Sequence, residues 1–158
     1  MTYAAQTNVA VPKSRAEVER LVLEAGGTRF GTMTEPGRAV VFFELKARRV
    51  MFELPLPQLQ DFATRKHPRR SWAVDVPRAT QERLLDQATR ARWRALVLAL
   101  KAKLVSVESG VEQFEEAFLG QIVVPTADGR PDRFYNVAVK HLRQAYEQGL
   151  PPLLGAGS

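Results

Sequence analysis

Cysteine is absent from this chain. That removes disulfides, thiolate metal sites and a cysteine nucleophile, and it fits a reducing cytosol. No stretch approaches the roughly 18 uninterrupted apolar residues of a membrane span, so no membrane partner is expected. Met1 to Lys13 has neither a basic start nor a continuous apolar core, so no secretory signal is expected there. The only histidines, His67 and His141, lack a second ligand at metal-binding spacing. No glycine-rich phosphate loop, serine nucleophile elbow or dinucleotide fingerprint occurs. These gaps point to a binding protein rather than an enzyme, with no catalytic residue, metal or cofactor to assign.

What the chain does have is positive charge. Its 158 residues carry a net charge of +6, with a pI near 10.1. This balance favours nucleic acid or an acidic protein as partner. An apolar fraction of 45% and a charged fraction of 25% are ordinary for a globular chain.

The pattern along the chain predicts an α+β fold. Residues 1–13 read as an extended arm, 14–149 as a single α+β domain, and 150–158 as a flexible tail. Ser14 and Glu17 make a capping box for a first helix, whose face is Val18, Leu21, Val22 and Ala25 and whose stop is Gly26-Gly27. A short strand over 28–32 and a turn at Glu35-Pro36-Gly37 come next. Arg38 to Leu45 and Val50 to Leu54 alternate as a β-hairpin about a turn at Lys46 to Arg49. The small antiparallel sheet therefore has two or three strands. Residues 55–79 form a long basic loop with four prolines, of a length that is often functional.

A long central helix is expected from Thr80 to Glu108. Leu84, Ala88, Ala91, Ala95, Leu98 and Ala102 line one flank, and Leu85, Trp93, Leu96, Leu100 and Leu104 another. Arg92 and Lys103 fall between the flanks and must snorkel or pair. Two further helices follow, over 111–119 with Phe114, Phe118 and Leu119 inward, and over 132–148. The last buries Phe134, Val137, His141 or Leu142, and Tyr146. Ile122 to Val124 reads as a strand before a turn at Asp128-Gly129.

Arg83, Arg90, Arg94 and Lys101 recur on the central helix at intervals of seven, four and seven. They lie within about 20° of one line, about 27 Å long, with Gln87 beside it. Only Asp86 interrupts the sign between Arg83 and Glu108. The row is expected to face outward and to contact phosphates, helped by Arg48, Arg49, Lys66, Arg69 and Arg70. Trp72 is read first as an anchor of the basic loop Arg65–Trp72 to the core, and second as a base-stacking residue. The acidic Glu112, Glu115 and Glu116 are read by default as a solvated face, and otherwise as balancing Arg92 or Lys103 or repelling nucleic acid from that side.

Two partial likenesses are topological or local. The α-β-β-β-α opening resembles a double-stranded RNA-binding domain, though here about 25 residues separate the last strand from the helix. Glu44-Leu45-Lys46 resembles the E-x-K element of PD-(D/E)xK nucleases, where carboxylates hold Mg²⁺ and the lysine positions water. The upstream aspartate of that element is missing.

A broader similarity rests on NVAVPKSRAEVE (Asn8–Glu19), the hairpin Ala39–Pro55, RWRALVLALKAKLVSVESG (Arg92–Gly110) and FEEAFLGQIVVP (Phe114–Pro125). In these stretches the chain resembles a family of small proteins encoded by bacteriophages and prophages. The family carries no assigned activity, so the resemblance implies context rather than chemistry: a phage accessory protein in the bacterial cytoplasm. The expected function is non-catalytic nucleic-acid binding, DNA rather than RNA, in replication or recombination. The runner-up is a protein-binding inhibitor or adaptor such as an anti-defence factor, and the third reading is a Mg²⁺-dependent nuclease using Glu44 and Lys46.

Overall fold

Proline is tolerated in the first turn of a helix, where its missing N–H would have no partner, and Pro12 occupies that turn here. The computed structural model describes residues 4–69 and 72–149. The expected tail 150–158 lies outside them, as does Arg70. Helix α1 spans Val11–Glu24, with Ala10 as its N-cap. Ser14 is therefore not a cap. It lies inside the helix, fully buried, and its hydroxyl has no hydrogen-bond partner.

Three antiparallel strands follow in the order β1 (Thr28–Glu35), β2 (Arg38–Leu45) and β3 (Arg48–Pro55). Strand β1 runs past the expected Thr32 because Glu35 pairs with Arg38 across Pro36-Gly37. Proline followed by a glycine at φ 79 suits a type II turn. The β2–β3 turn is shorter than the pattern suggested. Leu45 pairs with Arg48, which leaves only Lys46 and Ala47 in the loop, at φ 48 and 58. Both lie in the left-handed region that a two-residue hairpin turn of type I′ requires. Neither is glycine or asparagine, so each β-carbon costs about 1 kcal/mol there.

Alternation puts Ala39, Val41, Phe43, Leu45, Val50, Phe52 and Leu54 on one buried face of the sheet. Phe42 points to the other face, where its ring lies over Gly31. A β-carbon at Gly31 would sit 2.3 Å from that ring, so glycine is needed for the close approach.

The segment 55–79 is not a structureless loop. Leu59–Phe62 forms a 3-10 turn, closed by reciprocal hydrogen bonds between Gln58 and Asp61. Strands β4 (Thr64–Lys66) and β5 (Ala73–Asp75) then pair as a second hairpin. Buried Val76 fixes its base, its amide donating to the Ala63 carbonyl at 2.9 Å. Helix α2 then runs Arg78–Glu108, beginning after Pro77 rather than at Thr80.

Helix α2 buries Trp93, Leu96, Val97 and Leu100, a stripe at helical spacing that packs on the sheet together with Val18 and Val22 of α1. Helix α3 (Phe114–Phe118) adds Phe114 and Phe118, whose rings stack at 4.9 Å. Leu119, expected inward, begins an exposed 3-10 turn. Short strands β6 (Val123–Val124) and β7 (Asp132–Arg133) pair before α4 (Phe134–Glu147). Between them Asp128 accepts from the Thr126 hydroxyl and the Arg130 amide, which hold its carboxyl below the usual range.

Helix α4 is rotated from the expected orientation. Ala145 is its buried residue, whereas Val137, His141, Leu142 and Tyr146 are exposed. The helix meets the 3-10 turn at Leu119–Gln121, where Tyr135 lies beside Gly120.

Two substitutions test these local assignments in thermal or denaturant unfolding. Ser14→Ala removes a buried hydroxyl that lacks a partner and is expected to stabilise by about 0.5–1 kcal/mol. A loss of about 1 kcal/mol would instead mark Ser14 as a cap. Ala47→Gly relieves the left-handed turn and is expected to stabilise by about 0.5–1 kcal/mol.

Candidate nucleic-acid interface

The cationic row of α2 does not stand free. Val97 marks the buried centre of the helix, and Arg83, Arg90, Arg94 and Lys101 lie only about 20–60° around from it. They border the seam where α1 and the N-terminal arm lie along α2. Gln87 Nε2 donates to the carbonyls of Ala5 at 2.9 Å and Thr7 at 3.0 Å, tying down the arm. Arg94 Nη1 donates to Glu17 Oε2 at 2.6 Å, and the two side chains are only 27% and 25% exposed. Arg90 is held by Asp86, whose hydrogen bond raises the guanidinium pKa above its usual value. Arg83 and Lys101 are exposed and make no ion pair among the described residues.

The outward side of α2 is the alanine flank, with Leu84, Ala95 and Ala102 exposed. Alanine is the best helix former and needs no partner, whereas a long arginine stem can cover a helix seam and still reach a carboxylate. Counting signs along the helix could not see Glu17, because that carboxylate comes from another element.

The remaining candidates divide. Arg48 faces Glu115 at 3.4 Å, while Arg49 is exposed and lies opposite Glu44 in the strand register. Glu44 accepts from Arg29 at 2.8 Å, and Lys46 lies 6.0 Å over the Phe114 ring. Glu44 and Lys46 therefore have separate neighbours. Among the described residues no group of three His, Cys, Asp or Glu is placed to hold a metal ion. Of the acidic trio, Glu115 and Glu116 are exposed, Glu115 meeting Arg48 and Glu116 capping α3, while the half-buried Glu112 accepts from Ser106 at 2.5 Å. Lys103 snorkels to the Ala117 carbonyl and lies over Phe118.

The β4–β5 hairpin is the remaining concentration of charge. Arg65 pairs in register with Val74, and Lys66 with Ala73. One residue beyond, the His67 amide donates to the Trp72 carbonyl at 3.2 Å. The Arg69 amide donates to His67 Nδ1 at 3.2 Å, which shapes the tip. Trp72 is 54% exposed, its ring 6.4 Å from that of His67. It does not anchor the segment in the core; Val76 does that. Arg65, Lys66 and Arg69 are exposed and form no ion pair among the described residues. Asp75, the only acid on the two strands, sits at their base. Arg65 was missing from the sequence-derived set, although it opens the basic stretch Arg65–Trp72. Arg83 follows on the second turn of α2, which begins three residues after β5.

The structural role of Arg94 predicts a separation of effects. Arg94→Ala leaves Glu17 without its partner in a partly shielded seam and is expected to destabilise by about 1–2 kcal/mol. Oligonucleotide affinity of the folded protein is expected to stay within about twofold of wild type. Unfolding curves and a binding titration measure the two independently.

No family model, curated protein or solved structure matches this chain.

Proposed function

We propose that the chain binds single-stranded nucleic acid without catalysis, as an accessory protein of phage DNA transactions in the bacterial cytoplasm. The observation that carries this reading is the half-exposed indole of Trp72 on a hairpin whose Arg65, Lys66 and Arg69 form no ion pair among the described residues. Cations attract the phosphate backbone, and an aromatic face stacks on an unpaired base regardless of its identity. Arg83, on the second turn of α2, would add a further cation, and Arg70 belongs to the same basic stretch by sequence. The contact is with backbone and base faces, so sequence preference is weak. An unpaired strand suits it better than a duplex, whose bases are already stacked.

A second reading has its own observation. Tyr135, Leu142 and Tyr146 lie within about 20° of one line on α4 and are exposed, Tyr146 by 81%. A row of this kind favours a protein partner, as an inhibitor or adaptor would have.

The two tryptophans make the first reading measurable. Trp93 is 1% exposed and Trp72 is 54% exposed, so quenching of intrinsic fluorescence by an oligothymidylate reports on Trp72. Binding is expected at low salt and should weaken steeply as salt is raised. Trp72→Ala should cost about 1–3 kcal/mol, with Trp72→Phe retaining most of the affinity. Charge reversal at Arg65, Lys66 and Arg69 together should abolish binding. Absence of binding at low salt removes the proposal; capture of a protein from nuclease-treated host lysate, lost with Tyr146→Ala, supports the second reading.

A further inference from the structure

Residues of α1, α2 and α3, with Leu45 and Lys46 at the end of β2, line a half-open cleft of about 700 Å³. That volume is of small-molecule size. Its walls are apolar, with Leu21 from α1, Leu45 from β2, Leu104 from α2 and Phe114 from α3. Four charged residues also line it: Glu24, Lys46, Lys101 and Glu108. They are not equivalent. Both carboxylate oxygens of Glu24 are held by Arg20, at 2.7 and 2.9 Å, so Glu24 neutralises neither lysine. Lys46, Lys101 and Glu108 make no ion pair among the described residues. Glu108 is seven residues beyond Lys101 on α2, about 10 Å further along the axis. The cleft thus offers two unmatched ammonium groups against one carboxylate that lies toward the end of the helix.

The turn supplies an independent reason to attend to Lys46. A two-residue turn of this type is most easily made by Asn-Gly, yet this chain places Lys46 and Ala47 at φ 48 and 58. Backbone conformations that are unfavourable for their residues collect at binding sites. Here the turn brings the Lys46 ammonium over the face of Phe114 at 6.0 Å, so one side chain joins the apolar wall to the charged rim.

We propose that this cleft binds a small amphiphilic anion, an apolar chain or ring bearing one carboxylate or phosphate headgroup. The apolar part lies against Leu21, Leu104 and Phe114, and Lys46 and Lys101 attract the headgroup. The site is separate from the β4–β5 hairpin and does not rest on nucleic-acid binding.

The test is titration of ¹⁵N-labelled protein with decanoate, decyl phosphate, decyltrimethylammonium and acetate, each below its micelle concentration. Saturable binding of at least one of the two long-chain anions is expected, with shifts centred on Leu21, Lys101, Leu104 and Phe114. The stronger of the two identifies the headgroup. Acetate, which lacks the chain, and decyltrimethylammonium, which inverts the charge, are expected to bind at least about tenfold more weakly. Lys46→Gln with Lys101→Gln should weaken the anion by about tenfold or more, with the melting temperature unchanged. No binding of either anion up to about 1 mM overturns the proposal. So does equal binding of the cation, wild-type affinity in the double variant, or shifts centred elsewhere.

Discussion

The lengthwise packing of α1 beside α2 decides which charges this protein can offer to a partner. The three-stranded sheet has one apolar face, and Trp93, Leu96, Val97 and Leu100 of α2 cannot cover it alone. Val18 and Val22 complete the cover, which brings Glu17 to Arg94 and the N-terminal arm to Gln87. A helix side that reads as an open row of cations is thereby converted into a seam. The described cations left without carboxylate partners include Arg65, Lys66 and Arg69 on the second hairpin and Lys46 and Lys101 at the cleft.

Ion pairing elsewhere follows the same local logic. Arg20 with Glu24 and Arg78 with Glu82 are one helical turn apart, and Arg38 with Glu35 spans the β1–β2 turn. Such exposed pairs add little stability, but each removes a charge from the outward field. Arg133 differs in being only 14% exposed while it reaches Glu53 on β3 at 2.9 Å. Together with the Val50–Ile122 bridge, it fastens the C-terminal part of the chain to the sheet.

Much of the architecture was legible in the residues, because period-two alternation in β2 and β3 and the long apolar pattern of α2 have single interpretations. The α+β class, the order of elements and the hairpin all follow from that. Three errors share a cause: a local rule met a competing one. Pro12 outranked the Ser14–Glu17 capping pattern in setting the start of α1. On α4 the buried position went to Ala145 rather than to the larger side chains. Arginine stems bordering the seam of α2 displaced the alanine flank to solvent, opposite to what residue polarity suggests. The second hairpin was hidden for another reason. Each of its strands is three residues long, too short for alternation to be read, and Pro68 between them points to a coil. At the candidate interface, sequence supplied Lys66, Arg69 and Trp72, but it could not weigh the indole between core and surface. It also overvalued Arg94, whose partner Glu17 only the fold supplies, and Arg90, whose partner Asp86 lies one helical turn before it.

The seam between α1 and α2 also bears on how the chain is made. Glu17 and Arg94 are 77 positions apart, so the loop that joins them contains the whole first sheet and the second hairpin. Contacts this distant are slow to form and follow the local ones. During synthesis from the N-terminus, Val18 and Val22 emerge long before the helix that will cover them. The first helix must therefore wait, greasy side uncovered, until the ribosome has released the middle of α2, and that interval is when a nascent chain is most exposed to aggregation and to chaperones.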